Sequence, residues 1–360
     1  MAHDDRAYAD RLTTLQSEVL EILRTFESLQ ENLLPGNLAE NQGQLVAVVS
    51  DKFRRFETSF APLTPPDALA QVHQPLCEAI RELNRAFDLF MSKPGPEWTL
   101  AFLRSRSAFC RGLYQLYELR EQLPIVATHF LLEGAKDPAP NASSGAATGF
   151  IQRKRNDDRS DYTLYIPEDY SPERKLPLIV ALHGGYGQGA EYVWTWLRPA
   201  RSRGYAVLAP KSFDVTWDMS MPSIDTRSVM RMLDEVTREY AIDPARIYLT
   251  GLSDGGIFTY IMGLDQSHLF RGLAPVAGAL HPIVDPLLRQ GRGKDTPMFV
   301  VHGAHDFIFP VAFTRQTCKL LKDIGYDLRY EELPEWGHAF PYSINERMVL
   351  PWFESLPPKK

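Results

Sequence analysis

Asp243-Pro-Ala-Arg-Ile-Tyr-Leu-Thr-Gly-Leu-Ser-Asp-Gly-Gly-Ile-Phe-Thr-Tyr260 decides how the rest of the chain is read. Ile247 to Thr250 is a short β-branched and apolar run, the pattern of a buried strand. Gly251-Leu-Ser-Asp-Gly255 follows, and then Ile257, Tyr260, Ile261 and Leu264 recur at helical spacing. A strand, a tight turn and a helix in direct succession make Ser253 a candidate nucleophile. The glycines leave room for neighbouring backbone, and the helix start supplies free N–H groups where negative charge would develop. A glycine-rich turn in an unrelated α/β protein is the competing reading.

Outward from this stretch, residues 161–166 and 176–182 predict strands. Apolar runs at 205–209, 246–250, 272–277 and 298–302 alternate with helical segments. That alternation predicts a mostly parallel sheet flanked by helices on both faces. Residues 4 to about 134 differ in kind. Leu12, Leu15, Val19, Ile22, Phe26, Leu29 and Leu33 step by three and four, and three further amphipathic segments follow between Pro/Gly turns. The expected organisation is an all-α bundle over 1–136, a linker over 137–149 and an α/β unit over 150–360. Phe130-Leu131-Leu132 and the Phe-rich second and fourth segments exceed one seam. The bundle is therefore expected to serve as a lid or as a homo-oligomer contact.

The net charge of −6 over 360 residues favours neither nucleic acid nor an anionic membrane. No run reaches the ~18–20 apolar residues of a membrane span. Three scattered cysteines and no visible secretory signal lead to the expectation of reduced thiols in a cytoplasmic protein. No Glu-x-x-His pair marks a metal site on the helices.

A serine nucleophile needs a base, an orienting acid and oxyanion donors. Asp306 follows the strand ending at Gly303, and His338 lies in a glycine-flanked loop before the last helix. The order Ser253, Asp306, His338 suits a triad on such a sheet. His305 is the local rival for the base, with Asp254 and Glu332 the weaker acids. Asp225 is expected as a helix cap or solvated charge. The oxyanion donors are the N–H of Asp254 and one from His183-Gly-Gly-Tyr-Gly187, Gly185 first and Tyr186 second. Trp217 and Trp336 are expected at the pocket wall.

Four blocks carry a family resemblance: Leu182-His-Gly-Gly185, Ile242 to Gly256, His302-Gly-Ala-His-Asp306 and Gly337-His338. From about 150 to 357 the chain resembles α/β-hydrolases of the phospholipase/carboxylesterase type, close to polyhydroxybutyrate-depolymerase-like and feruloyl-type esterases. The resemblance implies a cofactor-free serine esterase acting on a small-molecule ester. Two departures stand out. Asp254 occupies a position where many such esterases carry glutamine, and the bundle has no counterpart in the minimal family. Short-chain acyl or aryl esters are the expected substrates. A thioesterase or amidase using the same triad, and a non-catalytic binding or scaffold protein, are the rivals.

Overall fold

A computed structural model describes residues 2–93, 95, 97–141, 145–154 and 161–359. Residues 142–144 of the expected linker and both prolines of the 94–96 turn lie outside them. The chain divides into two compact units, Met1–Ala135 and Lys136–Lys360.

The first unit is helical: α1 (Ala2–Glu31), α2 (Leu38–Arg55), α3 (Ala70–Phe90), α4 (Trp98–Glu118) and the short α5 (Pro124–Ala127). A π-helical turn, Phe56–Phe60, extends α2 towards Pro62. Gly112 marks the close approach of α4 to α3, where a Cβ would lie 3.1 Å from the Ala79 carbonyl. The expected surplus of phenylalanine is taken up inside this unit. Phe53 packs on Phe87, Phe109 stacks on Phe26, and Phe130 meets Tyr117 edge-on. Each helix touches more than one neighbour, so one seam underestimates the apolar positions a bundle needs.

The second unit is one eight-stranded sheet with helices. The strands are β1 (Gly149–Arg153), β2 (Tyr162–Ile166), β3 (Leu176–Leu182), β4 (Ala206–Pro210), β5 (Ile242–Leu252), β6 (Gly272–Val276), β7 (Met298–Gly303) and β8 (Leu328–Leu333). Their order is β1-β2-β4-β3-β5-β6-β7-β8. β2 pairs antiparallel with β1 and β4, and every pairing from β4 through β8 is parallel. β3, β4, β6 and β7 are buried along their whole length, as their continuous apolar runs require. β1 was not expected. It is an edge strand of five residues without an apolar run, and its register comes from β2.

The helices of this unit are α6 (Gly189–Tyr192), α7 (Trp194–Arg203), α8 (Ile224–Glu239), α9 (Asp254–Asp265), α10 (Asp285–Arg289), α11 (Val311–Asp323), α12 (Tyr342–Ile344) and α13 (Leu350–Ser355). α9 is apolar around its circumference and buried from Gly255 to Leu264. It therefore holds its first turn, next to Ser253, in a fixed place on the sheet. Among the described residues no helix is long and apolar enough to cross a membrane.

Candidate active site

Ser253 lies between β5 and α9 with φ 58° and ψ −121°. This left-handed backbone is costly for a residue with a Cβ, on the order of 1–3 kcal/mol, and persists only where its surroundings impose it. They do. The Ser253 N–H donates to the Val276 carbonyl at 3.0 Å, and the Ser253 carbonyl accepts from Ile257 N–H at 2.9 Å. A Cβ on Gly251 would lie 2.3 Å from the Gly255 carbonyl oxygen, and one on Gly255 the same distance from that of Leu182. The sharp turn exists because both positions lack side chains.

The loop after β3 runs beneath this serine. A Cβ on Gly184 would lie 3.3 Å from Ser253 Cβ, and one on Gly185 would lie 2.5 Å from Asp254 Oδ2. Gly184 thus lies against the serine, and Gly185 lies against the Asp254 carboxylate at the start of α9. Tyr186, the second choice, is placed differently. Its φ is 59°, and its N–H is already given to the Val215 carbonyl at 2.6 Å.

His183 anchors this loop. Its Nδ1–H donates to the Gly184 carbonyl at 2.7 Å, and its Nε2 accepts the Ser212 N–H at 3.1 Å. Burial pushes its pKa down to about 4. The unfolded chain then binds the proton below about 6.5 while the native state does not, so stability falls as pH drops from there towards 4. This histidine alone is expected to cost the unit about 2 kcal/mol between pH 7 and pH 5. Urea unfolding followed by tryptophan fluorescence measures it, since five of the six tryptophans lie in this unit. Equal midpoints at the two pH values would contradict a neutral, buried His183.

The acid and base are brought together by the loops after β7 and β8. Gly303 lets them touch, because a Cβ there would lie 2.2 Å from the Trp336 carbonyl oxygen. His305 N–H donates to that same carbonyl at 3.0 Å. His338 Nδ1 and Asp306 Oδ2 are 2.8 Å apart, with the Asp306 side chain fully buried. Asp306 Oδ1 accepts the N–H groups of Ile308 at 2.8 Å and Phe309 at 2.7 Å. Burial opposes ionisation of Asp306, but the His338 bond and these backbone donors outweigh it and lower its pKa. An ionised Asp306 only accepts, so the proton in this bond is carried by Nδ1 of His338. Phe309 and Phe307 flank the imidazole with ring centres 5.7 and 6.3 Å away.

His305, the rival base, is exposed. Glu332 is held by Arg315 and Tyr330, and the Arg315 hydrogen bond brings its pKa down to about 2. Asp254 accepts from Thr216 Oγ1 at 2.5 Å. The two tryptophans expected at the pocket wall are buried instead, Trp217 at 1% exposure and Trp336 at 5%. Trp217 stacks on Phe258 and gives its Nε1–H to the His183 carbonyl at 2.7 Å. Trp217 fastens a loop through its indole, and Trp336 contributes its backbone carbonyl to the His305 N–H.

Sequence reasoning passed over His302. It is fully buried behind Asp306, with Nε2 2.8 Å from the Phe309 carbonyl and 3.4 Å from Asp306 Oδ2, and Nδ1 3.1 Å from the Thr314 hydroxyl. A histidine inside an apolar strand such as Met298–Gly303 was the available signal, since such a group demands buried partners.

Residues 220–348, which include Ser253, Asp306 and His338, match the phospholipase/carboxylesterase family model. A bifunctional acetylxylan esterase/xylanase of Neocallimastix patriciarum is 33% identical over 153 residues, 41% of this chain and 21% of that protein. A poly(3-hydroxyalkanoate) depolymerase C of Paucimonas lemoignei is 31% identical over 28% of each chain. Acyl-protein thioesterase 1 of Gibberella zeae is 30% identical over 33% of this chain and 52% of its own. The chain thus spans between 21% and 52% of the length of these relatives. In its sheet order and elbow the Lys136–Lys360 unit has the α/β-hydrolase fold, and over residues 220–348 it resembles the phospholipase/carboxylesterase family.

Proposed function

We propose that the Lys136–Lys360 unit hydrolyses carboxylic esters through an acyl-enzyme on Ser253. The observation that carries this reading is the bond from His338 Nδ1–H to buried Asp306, at the strand edge where Ser253 projects. Leu252 is in register with Val276, and Val276 with Val301. Ser253 and Asp306 therefore follow parallel strands two apart, roughly 10 Å between strand axes, and His338 follows the next strand out, β8.

In this mechanism His338 Nε2 takes the Ser253 hydroxyl proton as Oγ attacks the ester carbonyl. The N–H groups of Gly185 and Asp254 hold the oxyanion, and protonated His338 hands its proton to the departing alcohol. A water molecule deprotonated by Nε2 then attacks the acyl-enzyme, and the acid leaves. Asp306 keeps Nδ1 protonated throughout. Ser253 Oγ has no hydrogen bond among the described residues. Its proton transfer is assigned from the shared strand edge, and such bonds tighten when substrate binds.

Tyr186, Val215, Phe307 and Ile308 are exposed on the loops after β3, β4 and β7. These apolar groups support small acyl or aryl esters as substrates. Turnover of p-nitrophenyl acetate, with a C2 to C12 chain-length series and fluorophosphonate labelling at Ser253, tests the reading. Higher kcat/KM on C12 than on C2 would reject the short-chain preference. No turnover and no labelling of folded protein would reject the enzyme in favour of a binding or scaffold role. A faster matched thioester or anilide would move the assignment to thioesterase or amidase. A cytoplasmic location and a homo-oligomer through the helical unit belong to the same proposal; cell fractionation and light scattering on the full chain read them.

A further inference from the structure

Three consecutive residues after β4 each grip a different part of the oxyanion site. The Val215 carbonyl accepts the Tyr186 N–H at 2.6 Å. Thr216 Oγ1 donates to Asp254 Oδ2 at 2.5 Å. Trp217 Nε1 donates to the His183 carbonyl at 2.7 Å. The Trp217 ring also lies 4.8 Å from the His183 ring and 5.0 Å from that of Phe258 of α9, to which it is nearly parallel at 10°. One segment thus touches the glycine loop that carries Gly185 and the helix start that carries Asp254.

The segment is itself fastened at both ends to one buried carboxylate. Asp225, in the first turn of α8, accepts the Phe213 N–H at 2.8 Å and the Asp218 N–H at 2.7 Å. It is 1% exposed, and Ser223, not Asp225, caps the helix. The expected surface carboxylate is therefore an internal anchor. Ser212, at the head of the segment, adds its N–H to His183 Nε2.

We propose that Val215-Thr216-Trp217 is a clamp that fixes the spacing of the Gly185 and Asp254 N–H donors, with Thr216 and Trp217 as positioning residues and Asp225 as their anchor. This deepens the esterase reading and rests on it. The physical need is plain. A loop reading Gly184-Gly185-Tyr186-Gly187 has little side chain of its own to pack and loses much conformational freedom when ordered. Donors stabilise an oxyanion only if they are already in place when charge develops. The clamp supplies that order from outside the loop.

The test uses the full chain with Trp217→Phe, Thr216→Val and Thr216→Ser. Phenylalanine keeps an aromatic ring at the stack and removes the Nε1–H together with one ring of the buried indole, so the Thr216 pair, which changes little volume, separates the lost hydrogen bond from lost packing. For p-nitrophenyl acetate, Trp217→Phe and Thr216→Val should each lower kcat about tenfold, less than outright loss of a donor, while KM stays within about threefold. Thr216→Ser, which keeps the hydroxyl, should recover most of the loss. The inhibition constant of phenylboronic acid, which forms a tetrahedral serine adduct, should rise in step with the fall in kcat. Unchanged kcat in both variants, a change in KM alone, or a serine variant as impaired as valine would overturn the clamp. Hydrogen exchange gives a reading independent of turnover: amides of 183–187 should exchange faster in Trp217→Phe, and equal rates would also overturn it. A parent chain without turnover or labelling removes the esterase reading, and the exchange arm then decides the clamp.

Discussion

Ser253→Ala is expected to lower kcat for p-nitrophenyl acetate by on the order of ten-thousand-fold or more, because only the hydroxyl oxygen becomes acylated. The same substitution should leave the unfolding midpoint nearly unchanged. Alanine keeps the Cβ that makes φ 58° costly, so it neither relieves nor adds strain. Ser253→Gly separates the two effects. Glycine adopts this backbone freely, and the variant should be equally inactive yet about 1–2 kcal/mol more stable in urea. Steady-state kinetics and denaturant titration of the two variants side by side measure both outcomes. Activity of Ser253→Ala within tenfold of the parent would place the nucleophile elsewhere. A glycine variant no more stable than the parent would deny strain at the elbow.

That strain was legible in the sequence because Gly251 and Gly255 bracket the serine between a strand run and a helical run. The central strands were legible for the same local reason: buried parallel strands read as unbroken apolar runs, and Leu176–Leu182 and Met298–Gly303 form where such runs stand. β1 was hidden because an edge strand takes its register from a partner rather than from its own pattern. The site divides in the same way. Ser253, Asp306 and His338 each follow a strand end, a property of local sequence. What Trp217 and Trp336 do is settled by partners more than thirty residues away: the His183 carbonyl accepts from the Trp217 indole, and the Trp336 carbonyl accepts the His305 N–H. A tryptophan near a site in sequence offers substrate contact and loop fastening equally, and only burial chooses. Asp225 is the parallel case: its place two residues after a serine cap suggests a helix start, but its carboxylate turns to Phe213 and Asp218.

Asp306→Asn is the second large effect, expected to lower kcat by about ten-thousand-fold while fluorophosphonate still labels Ser253 slowly. The argument is one of donors and acceptors. Asp306 Oδ1 is committed to the N–H groups of Ile308 and Phe309, and Oδ2 faces His338 Nδ1. In asparagine the amide oxygen must stay with the two backbone donors, which turns the NH2 group towards His338. Nδ1 must then accept, the ring proton moves to Nε2, and the nitrogen needed as a base is lost. Folding responds as well. The lowered pKa of Asp306 means that its contribution to stability is full above the usual carboxylate range and is lost as pH falls through its native pKa. The asparagine variant lacks this contribution, so its urea midpoint should fall less steeply than the parent's below about pH 4. His302 stays hydrogen-bonded to the Phe309 carbonyl and the Thr314 hydroxyl in either case, so the loop that carries residue 306 keeps its anchor. A variant within tenfold of the parent in kcat would show that Asp306 does not set the His338 tautomer. Full activity together with a parent-like acid transition would remove Asp306 from the site altogether.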